Sequence, residues 1–219
     1  MDWNTIARLT KTAFRDAVNE WIGMARVQGG QVRGTEAILT PGSLSSGANI
    51  ESAVLQRLAG SKVHVEIARV LAKELASAWN GWAAGFQVRV PGAYPTFAAF
   101  PGPTAPPTAA TPIRLTKGVS TGDAGLKSAM LTTKLTSALR IPATKAVMGT
   151  PDAAMKGLAD WVDGSFQDWK AQAMLVNVMG HGPVPTFAPP YVPVGPVVTG
   201  NVMSSGPVFA GARFGKIIM

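Results

Sequence analysis

The sequence predicts a mainly helical α+β fold in which a short helix, a long tryptophan-bearing helix and an extended proline-rich strap occur twice, with a few short strands. Apolar residues recur at helical spacing in several stretches. Two proline-rich segments, 91–112 and 183–207, are incompatible with helix or central strand. Residues 79–106 and 169–196 are identical at ten of 28 positions without a gap. This match indicates an internal duplication, and chance similarity in a chain rich in Gly, Pro and Ala is the alternative.

Composition favours a folded chain with an unusually apolar surface. Of the 219 residues, 47% are hydrophobic, which is enough to build a core. Charged residues are only 15%, against roughly 25% in ordinary globular domains. Such a chain has little polar material to cover its surface, and large exposed apolar patches mark interaction sites. The composition therefore indicates a component of an assembly.

Several classes of protein are excluded or disfavoured. Without cysteine, the chain has no disulfide, thiolate metal site or Cys nucleophile. The N-terminus carries a charge at Asp2 and lacks the apolar region of a signal peptide. No run of about 18 apolar residues exists, so no membrane-spanning helix is predicted. We expect synthesis in the cytoplasm without a cleaved signal, followed by incorporation into a virion or similar particle.

The net charge of +8 is unevenly distributed. Between residues 114 and 145 there are six cations and one anion, whereas residues 152–170 hold four anions and two cations. The candidate nucleic-acid contacts are Arg114, Lys117, Lys127, Lys134, Arg140 and Lys145. A basic segment can bind nucleic acid or an acidic neighbour. A solvated surface and head-to-tail contact between identical subunits are the alternatives.

Three segments organise the chain: an N-terminal helix or arm (1–28), a first repeat-like unit (29–117) and a second unit with an apolar tail (118–219). The pattern predicts an amphipathic helix over 2–27, stopped by Gly29-Gly30. Its apolar face either docks on the core of the same chain or packs on a neighbouring subunit. A membrane-surface helix is less favoured because the polar face is mixed in charge.

In the first unit, a short strand is predicted at 36–39, followed by a helix at 50–58 with Asn49 as its N-cap. Residues 61–87 predict a long helix with two apolar faces, one of them mostly alanine. The strap that follows carries aromatic residues, and we expect it to lie over the same chain or the next subunit. An ordinary linker is the alternative.

In the second unit, a strand is predicted at 113–117 and a helix from Asp123 to about residue 139. Thr150 is the predicted N-cap of a long helix with Pro151 at its first position, and its apolar face continues to residue 176.

The valines among the later prolines favour edge strands. A short strand is predicted within 208–214. The apolar tail 216–219 is of the kind that adds to a neighbour's sheet or groove.

No group of residues predicts catalysis, a cofactor or a metal site. His64 and His181 show no ligand-pair spacing, and neither a Walker loop nor a Gly-x-Ser-x-Gly elbow is present. Asp160 and Asp163, one helical turn apart, can hold a divalent cation, but a solvated acidic face is the ordinary interpretation. We therefore expect a protein that is not an enzyme and carries no cofactor.

Aromatic residues are the predicted anchors for neighbouring subunits. The six tryptophans all fall on predicted helices, which favours core or interface positions over ligand stacking. The interface candidates are Trp3, Phe14, Trp21, Tyr94, Phe97, Phe100, Phe187, Tyr191, Phe209 and Phe214.

These patterns together predict a non-enzymatic structural subunit of a large assembly, with a phage or virus particle or a tail-like machine as the setting. Its expected partners are copies of itself or other structural subunits, bound through the straps and terminal arms. The alternatives are a basic nucleic-acid-associated protein and a peripheral membrane protein. A hydrolase that uses His181 ranks last.

Overall fold

A computed structural model of the chain describes residues 1–94, 98–184 and 194–215, which form a mixed α+β structure with five α-helices and several small antiparallel sheets. The helices are α1 (Trp3–Met24), α2 (Ile50–Gly60), α3 (Val65–Gly85), α4 (Ser128–Ala138) and α5 (Asp152–Gln172). Three 3₁₀ turns span Leu115–Lys117, Asp123–Leu126 and Pro142–Ala146.

The strands are short and fall between the helices and after the last one. Their bounds are β1 (Ala25–Val27), β2 (Gln31–Arg33), β3 (Glu36–Leu39), β4 (Leu44–Ser46), β5 (Phe86–Pro91), β6 (Ala98–Ala99), β7 (Thr104–Ala109), β8 (Ile113–Arg114), β9 (Val119–Ser120), β10 (Met174–Leu175), β11 (Val178–Pro183), β12 (Val194–Gly195), β13 (Asn201–Ser204) and β14 (Phe209–Ala210).

Two sheets carry most of the strand pairing. One has the order β2-β3-β5-β9 and the other the order β13-β11-β7. The Val32 N–H of β2 donates to the Gly200 carbonyl (2.8 Å), which joins the two sheets at their edges. Gly180 and Gly182 of β11 permit this approach, because a side chain at either would collide with Val32 or Gly200. Smaller sheets have the orders β14-β10-β8, β1-β4 and β12-β6.

The helices pack around a shared aromatic core. Helix α3 contacts α1, α2 and α4, while α5 contacts α1 and α4. Trp79 and Trp82 of α3 are fully buried, and each ring lies 5.5 Å from that of Trp169 on α5. Phe14 of α1 closes the cluster, 6.5 Å from Trp79. Burial of these large rings supplies much of the apolar stabilisation of the fold.

Two predicted helices end earlier than expected, and each is followed directly by a strand. The helix predicted over 2–27 ends at Met24, and the helix predicted over 61–87 spans only Val65–Gly85. Ala25 and Phe86 then turn to extended backbone and start β1 and β5. Burial in β5 alternates strictly, as in a strand with one face on the core.

The second unit shows similar corrections. The helix predicted from Asp123 is a 3₁₀ turn, an extended Lys127 and then α4. Helix α5 begins at Asp152 with Pro151, not Thr150, in the capping position, and it stops at Gln172 rather than reaching residue 176. The strand predicted at 113–117 is only β8, because Leu115–Lys117 is a 3₁₀ turn.

Other predictions are confirmed. Strand β3 has the predicted bounds, and the Asn49 side chain accepts from the Ser52 N–H at 3.0 Å as the N-cap of α2. The proline-rich strand β7 is an edge strand, where Pro106 and Pro107 lack a donor at little cost. Only β14 forms within 208–214. The predicted apolar tail 216–219 lies outside the described residues.

Candidate functional site

The seven interface candidates that the structure describes are all buried inside the chain. None is more than 7% exposed; they are Trp3, Phe14, Trp21, Tyr94, Phe100, Phe209 and Phe214. Phe97, Phe187 and Tyr191 lie outside the described residues. The apolar face of α1 therefore docks on the core of its own chain. Contact of these seven rings with a neighbouring subunit would require them to leave that core.

Tyr94 anchors the first strap to the same chain. Its ring packs edge-on against Phe100, with the centroids 5.8 Å apart. Its hydroxyl lies within hydrogen-bond reach of the Pro106 carbonyl in β7 and, at 2.8 Å, of the Gly180 carbonyl in β11. The hydroxyl has one proton, so it donates to one of these carbonyls at a time. This contact holds an edge strand against the centre of its sheet.

Burial raises the pKa of Tyr94 above its usual 10.0. The folded chain therefore favours the neutral phenol, and this contribution to stability is present below pH 10 and lost as pH rises through the raised pKa. We expect Tyr94→Phe to cost about 1 to 2 kcal/mol at neutral pH, because the bond is lost. Denaturant unfolding across alkaline pH should show a smaller fall in stability for Tyr94→Phe than for the wild type. Equal slopes would contradict the assignment.

The acidic pair on α5 caps a neighbouring helix. Helix α4 has no N-cap side chain next to it in sequence, and Asp163 accepts from the Ser128 N–H at 3.1 Å instead. Asp160 accepts from the Ser128 hydroxyl and pairs with Lys156 at 2.7 Å. Lys127 pairs with Asp163 at 3.3 Å. The two carboxylates stabilise the positive end of α4 and join it to α5.

The electrostatics of this cluster agree with a structural role. The hydrogen bond from Lys156, followed by that from Ser128, lowers the pKa of Asp160. Among the residues that the structure describes, no three His, Asp or Glu side chains come together as a metal site would require. The geometry of the Asp160–Asp163 pair is that of a helix cap.

We expect Asp163→Ala to destabilise the chain by about 1 kcal/mol, because the first turn of α4 loses its capping acceptor. Asp168→Ala on the same helix is the control, since Asp168 is exposed and makes no hydrogen bond or ion pair with a described residue. Urea unfolding followed by circular dichroism measures both. Equal stability of the two variants would show that the cap contributes nothing.

The two histidines are separate, and neither has a catalytic partner among the described residues. His64 is the N-cap of α3, where its Nδ1 accepts from the Glu66 N–H at 3.4 Å. His181 lies on β11, and its Nδ1 is 3.5 Å from the Asn201 carbonyl. No carboxylate or hydroxyl of the described residues hydrogen-bonds to His181. The geometry that a His181 hydrolase needs is therefore not formed by these residues.

The six candidate nucleic-acid contacts are all exposed but belong to different elements. Arg114 lies in β8, Lys117 in the next 3₁₀ turn, and Lys134 on α4. Lys127 is already paired with Asp163, while Arg140 and Lys145 follow α4. The structure does not gather them on one recognition element.

The outer face of the β2-β3-β5-β9 sheet was not among the predicted contact surfaces. Its inner face is buried, whereas Arg89 projects outward from β5 and the edge residue Val119 is 56% exposed. A groove of about 550 Å³ opens here; its lining residues are Ile38, Leu39, Gln87, Val88, Arg89, Pro91, Ile113, Lys117 and Val119. Apolar and polar residues alternate over residues 86–90, and this pattern could have predicted a strand with one face turned to solvent.

Comparison with known proteins gives no identity to draw on: no protein-family model, curated protein or solved structure matches the chain. Among the described residues, none of the helices has both the length and the apolar character needed to cross a bilayer.

Proposed function

We propose that this protein is a non-enzymatic structural subunit of a large assembly, with a phage or virus particle or a tail-like machine as the setting. Its neighbours in that assembly are other structural subunits, copies of itself included. The observation that carries the proposal is the outer sheet face with its groove. It is a recess with apolar walls that no described residue fills, whereas the seven described interface candidates are buried in the chain's own core.

The route of contact differs from the sequence expectation. The apolar face of the N-terminal helix packs inside the chain, and so do Tyr94 and Phe100 of the first strap. The outer sheet face therefore replaces them as the leading contact surface. The contacts expected of residues 95–97, 185–193 and 216–219 remain sequence-based predictions.

We also infer that the two units arose by duplication. Each has a short helix, then a long helix, and later a six-residue strand: α2, α3 and β5 in the first unit, and α4, α5 and β11 in the second. Trp79 and Trp169, 90 residues apart in sequence, meet in the core. This arrangement and the sequence match support a common origin of the two units. A duplicated chain suits a subunit with two related contact surfaces.

Nucleic-acid binding is the main competing function, because the chain carries a net charge of +8. Light scattering during size-exclusion chromatography, together with the ratio of absorbance at 260 and 280 nm, separates the two. A protein assembly held by apolar contacts should keep its mass as salt rises. Binding to nucleic acid should weaken steeply with salt. A monomer that co-purifies with nucleic acid only at low salt would contradict the proposal.

A further inference from the structure

At the centre of the groove beside β5, the backbone N–H and C=O of Arg89 lack a hydrogen-bond partner among the described residues; this position is called the gap below. On one side of β5, the Gly92 N–H donates to the Thr35 carbonyl at 2.8 Å. On the other side, the Pro91 carbonyl accepts from the Thr111 N–H at 2.8 Å. Since hydrogen-bonding direction alternates along an antiparallel strand, the N–H and C=O of Arg89 point to the same side as the Pro91 carbonyl.

Among the described residues, that side of β5 is paired at both ends but not in the middle. Gln87 is opposite Val119 of β9, and Pro91 is bonded to Thr111. Between them the chain leaves the sheet through Ile113 and the Leu115–Lys117 turn. Neither Val119 nor Thr111 pairs with Arg89, so its N–H and C=O on this side have no backbone partner among the described residues. Because both ends are occupied, only a single residue of an incoming segment can reach them.

The side chains around the gap define the chemistry of that segment. Ile38, Ile113 and Val119 give the groove apolar walls, and Lys117 lines it as an exposed cation. Arg33 and Arg89 lie on the same outer face.

The outer face carries an excess of positive charge. Its one described carboxylate is Glu36, which pairs with Arg89 at 3.2 Å. Three cations against one anion favour a partner that combines acidic with apolar side chains.

We propose that this groove binds an acidic and apolar segment of a different protein, which inserts one residue against the backbone of Arg89. The proposal rests on the assembly function and names the kind of neighbour. A second copy of the chain is the poorer fit for this groove, because a chain with a net charge of +8 complements a cation-lined recess less well than an acidic segment does.

The test uses the intact protein and a short synthetic peptide that alternates valine with glutamate. A matched peptide with lysine in place of glutamate is the control. We expect the acidic peptide to bind about tenfold more tightly than the basic one. In ¹⁵N spectra the acidic peptide should shift the Arg89 amide signal. The amide signal of Val65, an exposed valine on α3 outside the groove, is the control and should not change.

Charge reversal assigns the binding to the groove. Lys117→Glu should weaken the acidic peptide about tenfold, whereas Lys134→Glu, an equal charge change on α4, should have a much smaller effect. Equal binding of both peptides, or equal loss in both variants, would overturn the proposal.

The same variants separate this proposal from the assembly function. If the wild type forms oligomers that Lys117→Glu disrupts, the groove belongs to a second copy and the acidic-partner assignment is wrong. If the wild type assembles and the peptide does not bind, the assembly function stands and the groove assignment fails.

Discussion

Replacement of Trp79 by alanine should cost about 4 kcal/mol, a large part of the 5 to 15 kcal/mol by which such a domain is stable. Trp79 is fully buried, and its ring contacts aromatic rings from α1, α5 and the C-terminal region. The substitution leaves a cavity where all three meet. Because Trp169 of α5 is equally buried and packs on Trp79, Trp169→Ala should cost a similar amount.

Two further variants make this prediction specific. The Trp79 indole N–H is buried without a hydrogen-bond partner among the described residues, so Trp79→Phe removes an unsatisfied donor and should cost less than Trp79→Ala. Trp161→Ala should also cost less, because Trp161 is only half-buried and packs on Phe214 at the edge of the cluster. Urea unfolding measures all of them, and equal losses at Trp79 and Trp161 would contradict the proposed core.

Gly122→Ala should cost about 3 kcal/mol, although its backbone conformation is one that alanine adopts easily. A Cβ at this position would collide with the backbone of Gly81 and Trp82, where the turn before α4 touches α3. Backbone cannot move aside as a flexible side chain does, so the turn and the helix must separate.

Gly164→Ala is the matched control with the opposite expected sign. Gly164 lies on the exposed side of α5, and a Cβ there meets nothing within 4 Å. Alanine should therefore stabilise the helix by about 1 kcal/mol. Thermal and urea unfolding of both variants give the comparison. A neutral Gly122→Ala would show that the turn does not pack against α3 in solution.

The helices could be predicted from sequence because their apolar residues recur with one period and their caps are local. Asn49 is an example, since its capping partner Ser52 is only three residues away. The ends of the long helices could not, because the residues from Phe86 onward are apolar in both a helical and an alternating pattern. Residues 86–91 form a strand rather than a continuation of the helix because β5 pairs with β3, about fifty residues earlier in the chain.

Contacts between distant parts of the chain also determine the roles of the acidic pair, the aromatic residues and the groove, which the sequence alone could not assign. Asp160 and Asp163 looked like a solvated pair, and only the packing of α5 on α4 makes them a cap. The aromatic residues were expected at interfaces, yet a hydrophobic pattern does not distinguish a chain's own core from a neighbour's surface. The groove depends on the gap beside Arg89, which no single segment encodes.

The most direct test of the assembly function is light scattering coupled to size-exclusion chromatography, with negative-stain images of the same fractions. The proposal predicts discrete rings, tubes or other high-order particles, formed by the protein alone or after addition of its partner subunits. A chain that remains a 22.8 kDa monomer at every concentration, and with every candidate subunit, would contradict it.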